Sequence, residues 1–234
     1  MITLYSYPEL FGVADNNGYG LKVFAYLRLA GLPFDHRHVV DTSAAPRGQL
    51  PYIDDDGEIV GDSEAILAHL AARHGIDLDA GLTQAQHDTT LMATRLLDDL
   101  YWVMSYSRWK DPAFWPAFSA ALRREHPELT DEVLQQARDY NAQRYHFQGI
   151  GRYAPEAAYA RGLADLAVLA RLVPAEGYVF GPRPARLDAA IYGFVANILF
   201  YEIDTPLRRF VQGAENLVRH CRAIHAAIAD VNRA

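Results

Sequence analysis

The sequence predicts an α/β domain followed by an all-α domain. Strand-like alternation is confined to the first third of the chain, and every later periodic stretch is helical, the pattern of segregated elements. The chain has 234 residues and 50% hydrophobic content, enough for two modest domains or one large one with real cores.

Ile2 to Ser6 is a short β-like opening. After a loop holding Gly12, Asn16, Asn17 and Gly18, an apolar helical stretch runs from Leu21 to about Ala30, with Gly31 as its C-terminal stop. Phe34 to Val40 alternates Phe34, His36, His38 and Val40 against Asp35, Arg37 and Val39, which predicts a strand. Asp41 to Gln49 is small, polar and broken by Pro46, so any helix there is short. Strands at Tyr52–Asp54 and Glu58–Val60 flank Asp55-Asp56-Gly57, a hairpin signal. Asp62-Ser63 then opens a helix: both residue types are preferred N-caps, and Ile66, Leu67 and Leu70 supply the apolar stripe. The order β-α-β, then β-β-α, is that of a thioredoxin-like domain, placed at residues 1–75.

Residues 76–82 read as a linker and 83–234 as a helical bundle. Leu96, Leu97, Leu100, Tyr101, Val103 and Met104 give a wide apolar face to a helix from about Thr83 to Trp109. Further helices are expected near Phe114–Arg124, Thr130–Gly149, Pro155–Val173, Leu187–Tyr201 and Gly213–Asn232. Cys221 is the sole cysteine, so no intramolecular disulfide forms and an oxidising compartment is not implied. It falls in the stripe Leu217, Cys221, Ile224, Ile228 and Val231, which makes it a core residue.

Composition excludes several functions. The start, Met1-Ile2-Thr3-Leu4-Tyr5, has neither a basic nor an apolar leader region, so a cytoplasmic location is expected. The longest apolar run, Ala189 to Phe200, is interrupted by Asn197 and falls short of the ~20 residues a membrane span needs. With a net charge of −7 and scattered arginines, there is no nucleic-acid footprint. His36 and His38 share a strand face, but spacing places no third ligand, so no metal is expected.

The segment Arg47-Gly48-Gln49-Leu50-Pro51-Tyr52-Ile53, followed by Gly61-Asp62-Ser63-Glu64-Ala65, closely resembles the Gly-Gln-Leu-Pro and Asp-Ser segments of the glutathione S-transferase superfamily. An X-Pro bond lowers the cost of a cis peptide to roughly 0.5–1 kcal/mol, and the resemblance implies that Leu50-Pro51 is cis and that the Leu50 backbone pairs with the cysteinyl unit of glutathione. It also implies that Ser63 takes the γ-glutamyl carboxylate and Asp62 its ammonium, with Gln49 or Arg47 reaching the rest. Without a ligand, Asp62-Ser63 is simply a helix cap. Gly181-Pro182-Arg183-Pro184-Ala185-Arg186-Leu187-Asp188-Ala189 resembles the segment that opens the buried helix of the family's second domain. Ala185 stands where that segment carries Ser or Thr, so half of a capping box is missing, a loss typically worth ~0.5–2 kcal/mol. Leu21-Lys22-Val23-Phe24-Ala25-Tyr26-Leu27-Arg28 and the helix opened by Asp188 most resemble the metaxin and failed-axon-connections branch.

In that superfamily the reacting sulfur sits near the N-terminus of the first helix, where dipole and free amides stabilise a thiolate. Counting back from Gly31 places Asn17-Gly18-Tyr19-Gly20 on the family's Cys/Ser-Pro-x-Cys position, without either cysteine. Thiol–disulfide exchange lacks its nucleophile. Asn17 is either a thiolate donor or a plain cap, and Tyr5, Tyr7 and Tyr19 are the competing hydroxyl donors, with strand or loop packing as the alternative. Tyr101, Trp102, Tyr106, Trp109, Phe114 and Trp115 lie where the family builds its acceptor pocket, or they form core. The resemblance thus implies a homodimer that uses glutathione as cosubstrate and attacks a small, apolar electrophile. The alternative is a non-catalytic interaction protein that keeps the fold without turnover.

Overall fold

The computed structural model describes residues 1–229. A four-stranded sheet has the order β2-β1-β3-β4. Strand β1 (Ile2–Ser6) turns Ile2, Leu4 and Ser6 into the core and pairs parallel with β2 (Phe34–His38), from Ile2↔Phe34 to Ser6↔His38. Parallel neighbours need a crossover, here α1 (Gly18–Leu29), which ends before Gly31 at φ +66°. Strand β3 (Tyr52–Asp55) runs antiparallel to β1 and to β4 (Glu58–Gly61). Positive φ at Asp56 and Gly57 makes the tight β3–β4 turn, and the Asp54 side chain accepts the Gly57 amide at 2.7 Å. Helix α2 (Ser63–His74) follows.

Two boundaries differ from expectation. Helix α1 starts a turn earlier than Leu21, because Asn17 is its N-cap and accepts the Tyr19 amide at 3.0 Å. Strand β2 stops at His38 because its partner β1 ends at Ser6.

Helices follow: α3 (Gln84–Trp109), α4 (Trp115–Glu125), α5 (Asp131–Gln148), α6 (Pro155–Leu172), α7 (Arg186–Leu199), α8 (Pro206–Gly213) and α9 (Glu215–Ala229), with a short 3-10 turn at Ile150–Arg152. Helix α8 is absent from the sequence-based expectation. Thr205 caps it by accepting the Arg208 amide, and Pro206 occupies its first turn. The helix expected over 213–232 begins at Glu215, and its last residues, with Val231, lie outside the described residues.

Helix α7 is buried along almost its whole length and carries the packing. The Asp188 carboxylate accepts the Val179 and Ala185 amides at 3.0 and 2.8 Å and contacts His220 Nε2 at 2.8 Å. Ala185 offers no side-chain acceptor in return. The main core is continuous from Leu4 and Ile53 of the sheet, through Leu21 of α1, to Leu97 of α3 and Ile191 of α7. Cys221 is fully buried within it, and burial pushes its thiol far up. Among the described residues no helix is long and apolar enough to cross a membrane.

Candidate functional site

Two cavities adjoin where the N-terminus of α1 faces α3 and α5. The larger, about 520 Å³, lies over the loop before β3 and the start of α2. The smaller, about 260 Å³, is walled by α3, α4 and α5. Tyr7, Asn17, Thr42, Tyr101, Tyr140 and Arg144 line both and so mark their junction.

Arg47, Gln49, Leu50, Pro51, Asp62 and Ser63 all line the larger cavity, and the Leu50–Pro51 peptide is cis. Ser63 is the first residue of α2, only 6% exposed, and its hydroxyl has no partner among the described residues. An acceptor-rich anion is favoured at such a helix start. Asp62 is the cap: its Oδ1 accepts the Glu64 and Ala65 amides at 3.0 and 3.2 Å, while Oδ2 takes Arg47 Nη1 at 2.8 Å.

Asn17 uses its two polar ends differently. Oδ1 is fixed on the Tyr19 amide, and Nδ2 has no partner among the described residues at the junction of the cavities. Its own amide donates to Asp15 Oδ1 at 2.6 Å. Asp15 is completely buried, and Oδ2 has no hydrogen-bond partner among the described residues. Desolvation pushes its carboxyl up to about 8, against the neighbouring Asn17 amide, Ser6 hydroxyl and Tyr7 amide and the Arg108 charge, which act to lower it. The buried Arg108 guanidinium donates to the Asn16 carbonyl and to Asn197, and Asn197 Nδ2 donates to the Asp15 carbonyl at 3.1 Å. The loop before α1 is thereby held from α3 and α7.

The tyrosines separate. Tyr7 reaches both cavities with a hydroxyl that has no partner among the described residues, and burial, with Tyr101 and Asp15 nearby, pushes its phenol up to about 12. Tyr19 lines the larger cavity, but its hydroxyl donates to Asp98 Oδ1 at 3.1 Å. Burial and that carboxylate hold its phenol far above the usual range. Tyr5 does not come to the site: opposite Tyr52 in the β1–β3 register, it stacks on that ring at 4.5 Å and lines neither cavity. Of the aromatic group, Tyr101, Trp102 and Trp109 line the cavities, whereas Tyr106, Phe114 and Trp115 pack against core. His36 contacts Ser6 Oγ and His38 the Ala14 carbonyl, and among the described residues no three metal-binding side chains gather.

Sequence reasoning missed Thr42, Tyr140 and Arg144. Tyr140 and Arg144 stand four apart on one face of α5, a pairing that was readable as a stripe but not as part of a cleft.

Comparison with known proteins bears on this geometry. A family model described as glutathione S-transferase N-terminal domain matches residues 19–114, and one described as glutathione S-transferase, C-terminal domain matches residues 162–224. An isoprene-epoxide glutathione S-transferase of Rhodococcus sp. is 30% identical over 96% of this chain and 98% of its own length. Failed axon connections of Drosophila melanogaster is 27% identical over 94% of this chain but 56% of its length, and metaxin-1 of Sus scrofa 24% identical over 87% and 68%. A solved glutathione S-transferase of Methylobacterium radiotolerans, in complex with glutathione sulfonate, superposes with a TM-score of 0.63 at 20% identity, covering 98% of this chain and 93% of that one. A beta-etherase of Sphingobium sp. has a TM-score of 0.69 at 17% identity over 98% of both chains.

Proposed function

Because this chain belongs to the glutathione S-transferase superfamily, we propose that it binds glutathione in the larger cavity and transfers the thiolate sulfur to a small, largely apolar electrophile in the smaller one. The observation that carries this reading is the meeting of a polar and an apolar-walled cavity at the capping residue of α1. Ser63 receives the γ-glutamyl carboxylate beside the α2 N-terminus, Asp62 receives the ammonium, and the Leu50–Pro51 backbone, Gln49 and Arg47 hold the rest. The glutathione-binding unit is residues 1–75, joined through 76–82 to the helical unit of 83–234.

The sulfur then lies near Asn17, whose Nδ2–H stabilises the thiolate while the thiol proton goes to solvent. A carboxamide is neither base nor nucleophile, so the enzyme works by holding two reactants together and by favouring the charged sulfur. The substrate named for the Rhodococcus relative supports a small apolar acceptor. A cytoplasmic homodimer completes the reading, two-fold dimers being the commonest closed assembly. Light scattering should give about twice the 26.2 kDa chain mass, and the chain mass itself at micromolar concentration would reject the dimer.

A non-catalytic role is the rival, favoured by the metaxin and failed-axon-connections likeness and by an amide where the family carries a thiol or hydroxyl. Turnover of a generic electrophile separates the two. Binding is tested by calorimetry: Ser63→Ala should weaken glutathione by at least ~1 kcal/mol through loss of a charge-assisted hydrogen bond. No heat from the parent protein at millimolar glutathione rejects the function, and equal affinities reject the Ser63 role alone.

A further inference from the structure

Lys22 is an ammonium in the core. It lies in the second turn of α1 with its side chain 2% exposed, and among the described residues its one hydrogen-bond partner is Glu64, whose Oε1 accepts from Nζ at 2.5 Å. A buried ion pair is a poor source of stability, because desolvation offsets most of the attraction and apolar side chains of similar volume do as well or better. What such a pair does supply is a fixed register between the elements that carry it. Glu64 is the second residue of α2, beside Ser63, and lines the larger cavity. The buried apolar positions of α2 begin only at Ile66. Its first turn, capped from within by Asp62, is therefore tied to α1 by Lys22 rather than by apolar packing. On the far side, Glu64 Oε2 lies 3.7 Å from Arg186 Nη1, and Arg186 holds Asp79 through its Nε at 3.2 Å and its amide at 2.9 Å. Alternating charges thus run from α1 through the start of α2 to the start of α7 and residues 76–82.

We propose that Lys22 is a positioning residue: through Glu64 it sets the distance from Ser63 at the start of α2 to Asn17 at the start of α1, and so places the sulfur of bound glutathione. This rests on the glutathione-binding reading above. Asn17 and Lys22 stand five residues apart on α1 and its cap, and Ser63 and Glu64 are neighbours on α2. The tripeptide would bridge on the cavity side the same two helix starts that the ion pair bridges on the core side. Contacts to the γ-glutamyl unit belong to α2 and its own cap, so they survive when the ion pair is cut. The match of the sulfur to Asn17 Nδ2 does not, because a hydrogen bond weakens steeply with displacement and a misplacement of 1 Å is enough to disturb a reacting group.

The test is a comparison of signs among Lys22→Met, Glu64→Gln and the double variant, each with glutathione. Affinity is read by calorimetry at about pH 5.5, well below the ordinary thiol range, and the bound-thiol pKa by thiolate ultraviolet absorbance. Cutting the tie from either end should raise that pKa by about one unit, roughly tenfold less thiolate near neutrality, in both single variants and in the double one. Affinity should stay within about tenfold of the parent. A pure charge effect behaves otherwise: removing a cation and removing an anion shift the thiol in opposite directions, and the double variant returns to the parent value. That pattern, or titrations that do not move, overturns the proposal. So does a larger loss of affinity, since the start of α2 would then have come apart instead of shifting. Glu64→Gln leaves an ammonium buried against an amide; should it fail to fold, the double variant, with no buried charge, still decides by its own titration. A parent that binds glutathione without lowering its thiol pKa overturns the proposal and leaves glutathione binding standing. A parent that gives no heat at millimolar glutathione overturns both.

Discussion

Oδ1 of Asn17 caps α1, and Nδ2, the atom proposed to meet the thiolate, has no partner among the described residues at the cleft. The two functions are separable by substitution. Asn17→Ala should raise the pKa of bound glutathione by about one unit, the weight of one charge-assisted hydrogen bond. It should slow conjugation several-fold and leave glutathione affinity nearly unchanged, the pattern of a contact made to the charged state. The loss of the cap costs about 1 kcal/mol of stability besides, and Asn17→Ser keeps the cap as a control. Thiolate ultraviolet absorbance against pH reads the shift directly. Tyr7→Phe is the sharpest competitor in that titration because its hydroxyl has no partner among the described residues, whereas Tyr5→Phe preserves the stack on Tyr52 and should be silent. An unmoved titration for Asn17→Ala with a displaced one for Tyr7→Phe would transfer the role to Tyr7. The cavity wall proposed to hold glutathione was legible because Arg47 through Ser63 is one contiguous stretch whose residue types carry their own reasons: a proline at a strand start and a cap at a helix start. Arg144 was not, because only packing of α5 against α3 brings it to Asn17.

At the scale of elements, helical periodicity located α3 to α7 and strand alternation the sheet, but propensity misplaced the start of α1. Gly18 and Gly20 are poor helix formers, and tertiary packing accounts for both. A Cβ on Gly20 would lie 1.6 Å from Asp15 Oδ2, and one on Gly18 about 2.9 Å from the Phe194 ring. Helix α8 escaped for a related reason: eight residues offer only Leu207 and Val211 as buried apolar positions, too few to show a period. The α1–α7 crossing is tight at Gly193, where a Cβ would meet the Gly18 carbonyl oxygen at 2.4 Å and the Lys22 amide nitrogen at 2.8 Å. These are backbone atoms and cannot rotate away. Gly193→Ala should therefore cost about 1–3 kcal/mol as an overpacked core. Since the displaced end of α1 carries Asn17, the bound-thiol titration should shift with it. Denaturant melts and thiolate absorbance measure the two effects. A variant as stable as the parent would mean that the helices separate freely at this crossing.

Across the whole molecule, the sheet, α1 and α7 share one core, and the deepest ionisable group in the junction loop is Asp15. No sequence pattern marked it, because a lone aspartate in a polar loop reads as solvated until Arg108 and Asn197 close over that loop. Its burial makes stability depend on pH in a direction opposite to that of an ion-paired carboxylate. Unfolded, the group titrates near 3.9; folded, it titrates at about 8. Between those values the native state holds a proton that the unfolded state has lost. Its contribution is therefore fully present below about pH 4 and disappears as pH rises through 8. Asp55 has the reverse sign: against the desolvation that raises it, the imidazoles of His74 and His69 and the Arg73 guanidinium hold it below the usual carboxylate range, so its contribution is lost on acidification. Comparing the parent with Asp15→Asn cancels Asp55 and isolates Asp15. Asparagine keeps an oxygen for the Asn17 amide and stays neutral at every pH. The variant should gain on the parent by up to about 1.4 kcal/mol per pH unit between pH 4 and 8, the limit for one proton. Urea melts across that range decide the matter: parallel stability curves would show that Asp15 is ionised in the folded protein at neutral pH, and that the buried Arg108 charge, not a proton, balances it.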